Sequence, residues 1–145
     1  MKQEFNVIGE PEFILKDQFG NIKQHFKVKN LIVASGKSWI AARMIAGTDA
    51  VMSHMAIGTG TASPAAANTT LATEIARVAL TSTTGSGNQV TYSAFFPAGS
   101  GTGAITEAGI LNAGALGTML ARATFAQINK DTLDTLTINW TVTVV

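Results

Sequence analysis

Only two histidines, His25 and His54, occur in the 145 residues, and there is no cysteine. Any triad, imidazole base or histidine-bearing metal site would have to draw on these two. His25 alternates with Lys23 and Lys27 on the polar face of an expected strand, and His54 stands in Met52-Ser53-His54-Met55 with no second ligand spaced nearby. Both read as hydrogen-bonding groups rather than as catalysts. The nine carboxylates form no pair with the pattern of a general acid and base. Gly36-Lys37-Ser38 resembles the end of a phosphate-binding loop, but position 31 is Leu where that loop requires Gly. The residues before Gly36, Leu31-Ile32-Val33-Ala34-Ser35, are bulky where bare backbone must wrap a phosphate. Neither glycine loop, 58–60 or 99–103, has the Gly-x-Gly-x-x-Gly spacing of a dinucleotide site. The expectation is a chain that is not an enzyme and carries no cofactor or metal.

One group of charges does call for an explanation. Glu107, Glu74, Arg77 and Arg122 each lie in a largely apolar stretch, and a charge is tolerated inside a protein only when paired. Glu107 is therefore expected to form a structural ion pair with Arg77 or Arg122, within the chain or across a subunit boundary. Gly58, Gly60, Gly101 and Gly103 lie in loops of small residues. Such loops suit close approach of another subunit, and these four are candidate interface positions.

The elements that would position these residues are mostly strands. Phe13–Asp17 and Ile22–Val28 flank Phe19-Gly20-Asn21 and predict a hairpin. Trp39, Ile40, Met44 and Ile45 recur at helical spacing, giving one helix near residues 35–46, with Ser35 at its start and Gly47 at its stop. Val51–Ile57 predicts a short strand, and Thr69–Ala76 a helical turn. Arg77–Thr84 and Gln89–Phe96 bracket Gly85-Ser86-Gly87-Asn88 as a second hairpin. Ala104–Asn112 and Thr118–Gln127 predict an antiparallel pair. In the last run, Leu136, Ile138, Trp140, Val142 and Val144 alternate with mostly Thr. About eight strands at this spacing predict a mainly β chain, an antiparallel, jelly-roll-like β-sandwich. Residues 1–12 are expected to form an N-terminal arm and residues 13–145 a single sandwich domain.

Composition narrows the function classes. Charged residues are 13% of the chain, against roughly 25% in ordinary soluble domains. The net charge of +1 supplies no field to gather nucleic acid or an anionic membrane. No segment reaches the roughly 18–20 apolar residues of a membrane span. A subunit that covers its surface with partners can carry few charges, because interface cores are depleted of them.

Several segments carry a resemblance. They are His54-Met55-Ala56-Ile57-Gly58-Thr59-Gly60-Thr61-Ala62-Ser63-Pro64-Ala65-Ala66, Leu71-Ala72-Thr73-Glu74-Ile75-Ala76-Arg77, Gly103-Ala104-Ile105-Thr106-Glu107-Ala108-Gly109-Ile110 and Gly117-Thr118-Met119-Leu120-Ala121-Arg122. Together with the ending Asp134 to Val144, they resemble small structural proteins of tailed-bacteriophage virions. That resemblance implies an oligomeric accessory subunit in the virion, and it carries over no catalytic residue. The function expected from it is a capsid decoration or cement protein, a dimer or trimer that binds the major capsid protein and stabilises its lattice. The alternative is a tail, baseplate or fibre component. A host-glycan adhesin fits less well, because Tyr92 is the only tyrosine and both tryptophans sit in apolar patterns.

Overall fold

The computed structural model describes residues 6–45 and 47–145. Among the described residues, ten strands and one helix follow one another as β1 (Val7–Lys16), β2 (Ile22–Lys27), β3 (Leu31–Ile32), α1 (Ala34–Ala42), β4 (His54–Gly58), β5 (Glu74–Ala79), β6 (Ser82–Ser86), β7 (Gln89–Phe96), β8 (Gly103–Leu111), β9 (Met119–Lys130) and β10 (Thr135–Val144). They form two five-stranded sheets, ordered β2-β1-β10-β7-β6 and β3-β9-β8-β4-β5. Every pairing is antiparallel. The fold is the mainly β, sandwich-like arrangement that the turn spacing predicts.

The alternation in β10 is the clearest link from sequence to packing. Leu136, Ile138, Trp140 and Val142 are buried in the space between the sheets. Their neighbours Phe13 and Leu15 of β1, and Tyr92, Ala94 and Phe96 of β7, join them. The facing sheet contributes Met55, Ile57, Ile105, Ile110 and Ile128. Phe13, Phe26 and Phe125 close one flank, with the Phe13 and Phe125 ring centroids 4.2 Å apart. Full burial of each large side chain is worth roughly 1.5–3 kcal/mol, so this layer supplies most of the drive to fold.

Both hairpins form where the turn residues demand them. Asp17 accepts the Phe19 and Asn21 N–H groups at 2.9 Å each, and Gly20 takes the positive φ of 83° between β1 and β2. Gly87, at φ 59°, joins β6 to β7. The antiparallel pair β8–β9 also forms as the sequence predicts.

Five expectations need correction. Residues 7–12 are not an arm but the first half of β1, paired with β10 from Val7 opposite Val144 onward; residues 1–5 of that arm lie outside the described residues. Their strand character is hidden because the inward positions are Gly9 and Pro11, while Ile8 points outward and is exposed. Pro11 is tolerated there because only its carbonyl is used on the β2 side, accepting the Val28 N–H at 3.2 Å just beyond the last paired residues, Glu12 and Lys27. The helix is shorter than 35–46. After Ala42, Arg43 and Met44 donate to Ile40 and Ala41, bonds that tighten the last turn. Met44 and Ile45 swing out and are exposed, and residue 46 lies outside the described residues. Ser35 is not the cap; that position is Val33, and the Ser35 hydroxyl donates instead to the Met119 carbonyl at 2.8 Å. Finally, Arg77–Thr84 is not one strand. The chain leaves β5 in one sheet, turns at Leu80 and Thr81, and enters β6 in the other. Thr69–Ala76 accordingly ends in β5 rather than in a helical turn.

Candidate functional site: a buried carboxylate that pins a fifteen-residue loop

The outer face of the β3-β9-β8-β4-β5 sheet is covered by chain, and the charged residues singled out in the sequence meet there. Strand register sets the arrangement. Glu74, Gly58, Glu107 and Thr124 form one row across β5, β4, β8 and β9; Arg77, Ala56, Gly109 and Arg122 form the adjacent row. Neighbouring strands are about 4.8 Å apart. Arg122 is one strand from Glu107, whereas Arg77 is two strands away.

Glu107 and Arg122 are accordingly the pair, at 3.2 Å, with side chains 0% and 2% exposed. Arg77 instead holds Glu74 at 2.7 Å and donates to the Ala113 and Leu116 carbonyls, both at 2.9 Å. Those contacts fix the β8–β9 turn, where Leu116 adopts φ 54° and exposes its side chain.

The Glu107 carboxylate is more than half of an ion pair. One oxygen accepts the Gly60 and Thr73 N–H groups at 2.7 and 2.8 Å. The other accepts Ala72 N–H at 2.8 Å and two guanidinium N–H groups of Arg122. Arg122 uses its remaining donors on the Asn68 side-chain oxygen at 3.1 Å and the Ala62 carbonyl at 2.9 Å. Thr106 donates to the Gly60 carbonyl. One buried ion pair thus ties down both ends and the middle of the loop 59–73, which on open backbone would need many separate contacts. Burial alone would raise the Glu107 pKa, but the N–H groups of Thr73, Ala72 and Gly60, with Arg122, outweigh it and hold the group below the ordinary carboxylate value.

The glycines find their explanation here, inside the chain. Gly58 and Gly60 are buried. A Cβ on Gly60 would collide with the Glu107 carboxylate, and one on Gly58 with the Thr73 carbonyl. Their role within the chain is to let the loop backbone reach the carboxylate. Gly101, at φ 69°, has no room for a side chain beside Ile57, and Gly103, at φ 144°, begins β8. These two are only partly covered. Gly36 likewise has no room for a Cβ beside the Leu120 carbonyl, so the Gly-Lys-Ser run serves helix-on-sheet packing.

Chemistry is scarce elsewhere. His25 Nε2 lies 2.8 Å from Glu12 on the outer face of the first sheet, and His54 Nδ1 lies 2.8 Å from the Ser53 hydroxyl. A cleft of about 500 Å³ between the β1–β2 and β9–β10 turns is lined by Asp17, Phe19, Asp131, Leu133 and Asp134, among others. Its best-placed carboxylate, Asp134, is committed to Lys23 at 2.7 Å and to the Asp131 N–H. Among the described residues, no cluster of three potential metal-binding side chains occurs, and no helix is long and apolar enough to cross a membrane.

The profile of the phage tail-collar fibre protein, N-terminal, matches residues 24–145. The chain belongs to this family. Its match begins inside β2 and runs to the C-terminus, so every element after β2, with the whole β3-β9-β8-β4-β5 sheet and the Glu107 knot, falls within the matched region, while β1 precedes it. Membership makes the chain a structural component of a tailed-phage virion, and the matched family is a tail-fibre family rather than a capsid-decoration one. No curated protein and no solved structure matches it.

Proposed function

We propose that this chain is a non-catalytic subunit of the tail-collar fibre apparatus, working by contact with copies of itself and with neighbouring virion proteins. The family match over residues 24–145 carries the reading. Two surface features support it. The pinned loop exposes only small, uncharged side chains, among them Thr61, Ala62, Ser63, Ala65, Ala66 and Ala67. Held rigid, it loses little conformational entropy when a partner covers it. The outer face of the first sheet is bare, with hydroxyl and amide rows such as Thr91–Thr141 and Ser93–Asn139 already hydrogen-bonded across strands. A glycan-binding role gains no support, because Tyr92 and Trp140 are buried and the Trp39 ring is covered by Arg43, 4.8 Å from its centroid.

Gold-labelled antibody against this chain, applied to separated heads and tails of the phage that encodes it, tests the reading. Label at the tail collar or its fibres is expected. Label confined to heads returns the capsid decoration reading and removes this one.

A further inference from the structure

The two sheets present four edge strands, and three are protected against pairing with another chain. Edge strands expose a row of unpaired N–H and C=O groups, and proteins commonly blunt them with charges, bulges or extreme shortness. β2 carries Lys23, His25 and Lys27 and has a register shift opposite Leu15 and Lys16. β5 carries Glu74 and Arg77 and also has a register shift. β3 is two residues long. β6, Ser82-Thr83-Thr84-Gly85-Ser86, has none of these devices. All five residues are exposed, none is charged, and they pair with β7 in unbroken register.

We infer that β6 is a self-association edge, at which two copies of this chain pair antiparallel about a two-fold axis through Thr84. The argument for a second copy is electrostatic. On a two-fold axis a strand faces its own sequence, so any charged residue at the centre meets its like, which is destabilising. A hydroxyl both donates and accepts, so Thr84 can face Thr84, and Ser82 can face Ser86, without an unpaired group. Of the edges longer than two residues, only β6 carries no charged side chain at any position, so no placement of the axis brings like charges together there. Pairing there joins two β2-β1-β10-β7-β6 sheets into one continuous sheet, and extends the hydroxyl rows of β7 and β10 across the seam. A five-residue seam is small beside the roughly 800 Å² per partner of a standard interface. The contact is therefore weak in dilute solution and strengthened where copies are already gathered on a particle.

This inference deepens the assembly reading, yet it fails separately: a tail-located protein whose β6 does not pair refutes the inference alone. The absence of cysteine from the chain makes the test direct. Directly opposed residues of an antiparallel pair have Cα atoms about 4.5–5.5 Å apart, within disulfide reach. Thr84→Cys should give a covalent dimer on mild oxidation, while Lys27→Cys, on the β2 edge, should not. In sedimentation runs up to about 1 mM, a range that reaches weak association, the unmodified chain should move from monomer toward dimer mass. Thr84→Lys, an exposed substitution whose folding is checked by circular dichroism, should weaken that association at least tenfold. A chain that stays monomeric throughout, a Thr84→Lys dimer of unchanged strength, or equal cross-linking through Lys27→Cys would each overturn the inference.

Discussion

Replacing Glu107 by Gln changes one atom of a buried knot, and the structure sets how much that atom is worth. The carboxylate accepts five hydrogen bonds, three from backbone N–H groups and two from Arg122. An amide of the same shape has one oxygen and one NH2. If the NH2 points toward Arg122, donors face donors there and at Ala72. If it points the other way, it meets the N–H groups of Gly60 and Thr73. Either way two or more buried donors lose their acceptor, at about 1–3 kcal/mol each. The Arg122 guanidinium, 2% exposed, also loses its counter-charge, and breaking one partner of a buried pair costs roughly 3–5 kcal/mol in all. These figures describe the same loss by two routes and agree. Domains are stable by about 5–15 kcal/mol, so the variant should remain folded in the cold with its denaturant midpoint sharply lowered. Equilibrium denaturation measures the loss, and hydrogen exchange shows where it falls, with Gly60, Ala72 and Thr73 amides losing protection first. A loss under about 1 kcal/mol, with those amides as protected as before, would refute the claim that this carboxylate organises the loop.

Acid should act on the same bond. Because the folded-state pKa of Glu107 lies below its ordinary value of 4.5, its contribution is present above about that pH and lost as the pH falls through the lower folded value. A stability profile from pH 6 downward should fall more steeply in the unmodified protein than in Glu107→Gln; parallel profiles would contradict the assignment. Arg77→Ala frees the Ala113 and Leu116 carbonyls and should cost about 1–3 kcal/mol, with faster exchange in the β8–β9 turn and the 59–73 loop unaffected. Lys130 is buried and its pKa is lowered, chiefly by that burial, with Asp134 opposing. Its ammonium makes one bond, to the Pro97 carbonyl at 3.0 Å, and Asp134 keeps Lys23 without it. Lys130→Met should therefore shift stability by less than about 1 kcal/mol, and a loss as large as that of Glu107→Gln would show the ammonium to be an essential partner.

Residue pattern alone determined the strand-rich sandwich, the two tight hairpins and the core face of β10. Each follows from a period of two or from a turn that needs Gly, Asn or Asp, and such local rules act within a few residues. It also marked Glu107 as a charge needing a partner, since an acid flanked by Ile105, Ala108 and Ile110 can be accommodated in few other ways. Tertiary structure decided the rest. Arg77 and Arg122 are equivalent candidates along the chain; only the strand order puts one of them one strand from Glu107 and the other two. The purpose of Gly58 and Gly60 was invisible for the same reason, because the carboxylate they make room for lies more than forty residues away. The first half of β1 escaped notice because Gly9 and Pro11 face inward where large apolar side chains announce a strand, and pairing with β10 supplies what the local pattern lacks. Local chemistry writes the strands, and the register between distant strands writes the contacts.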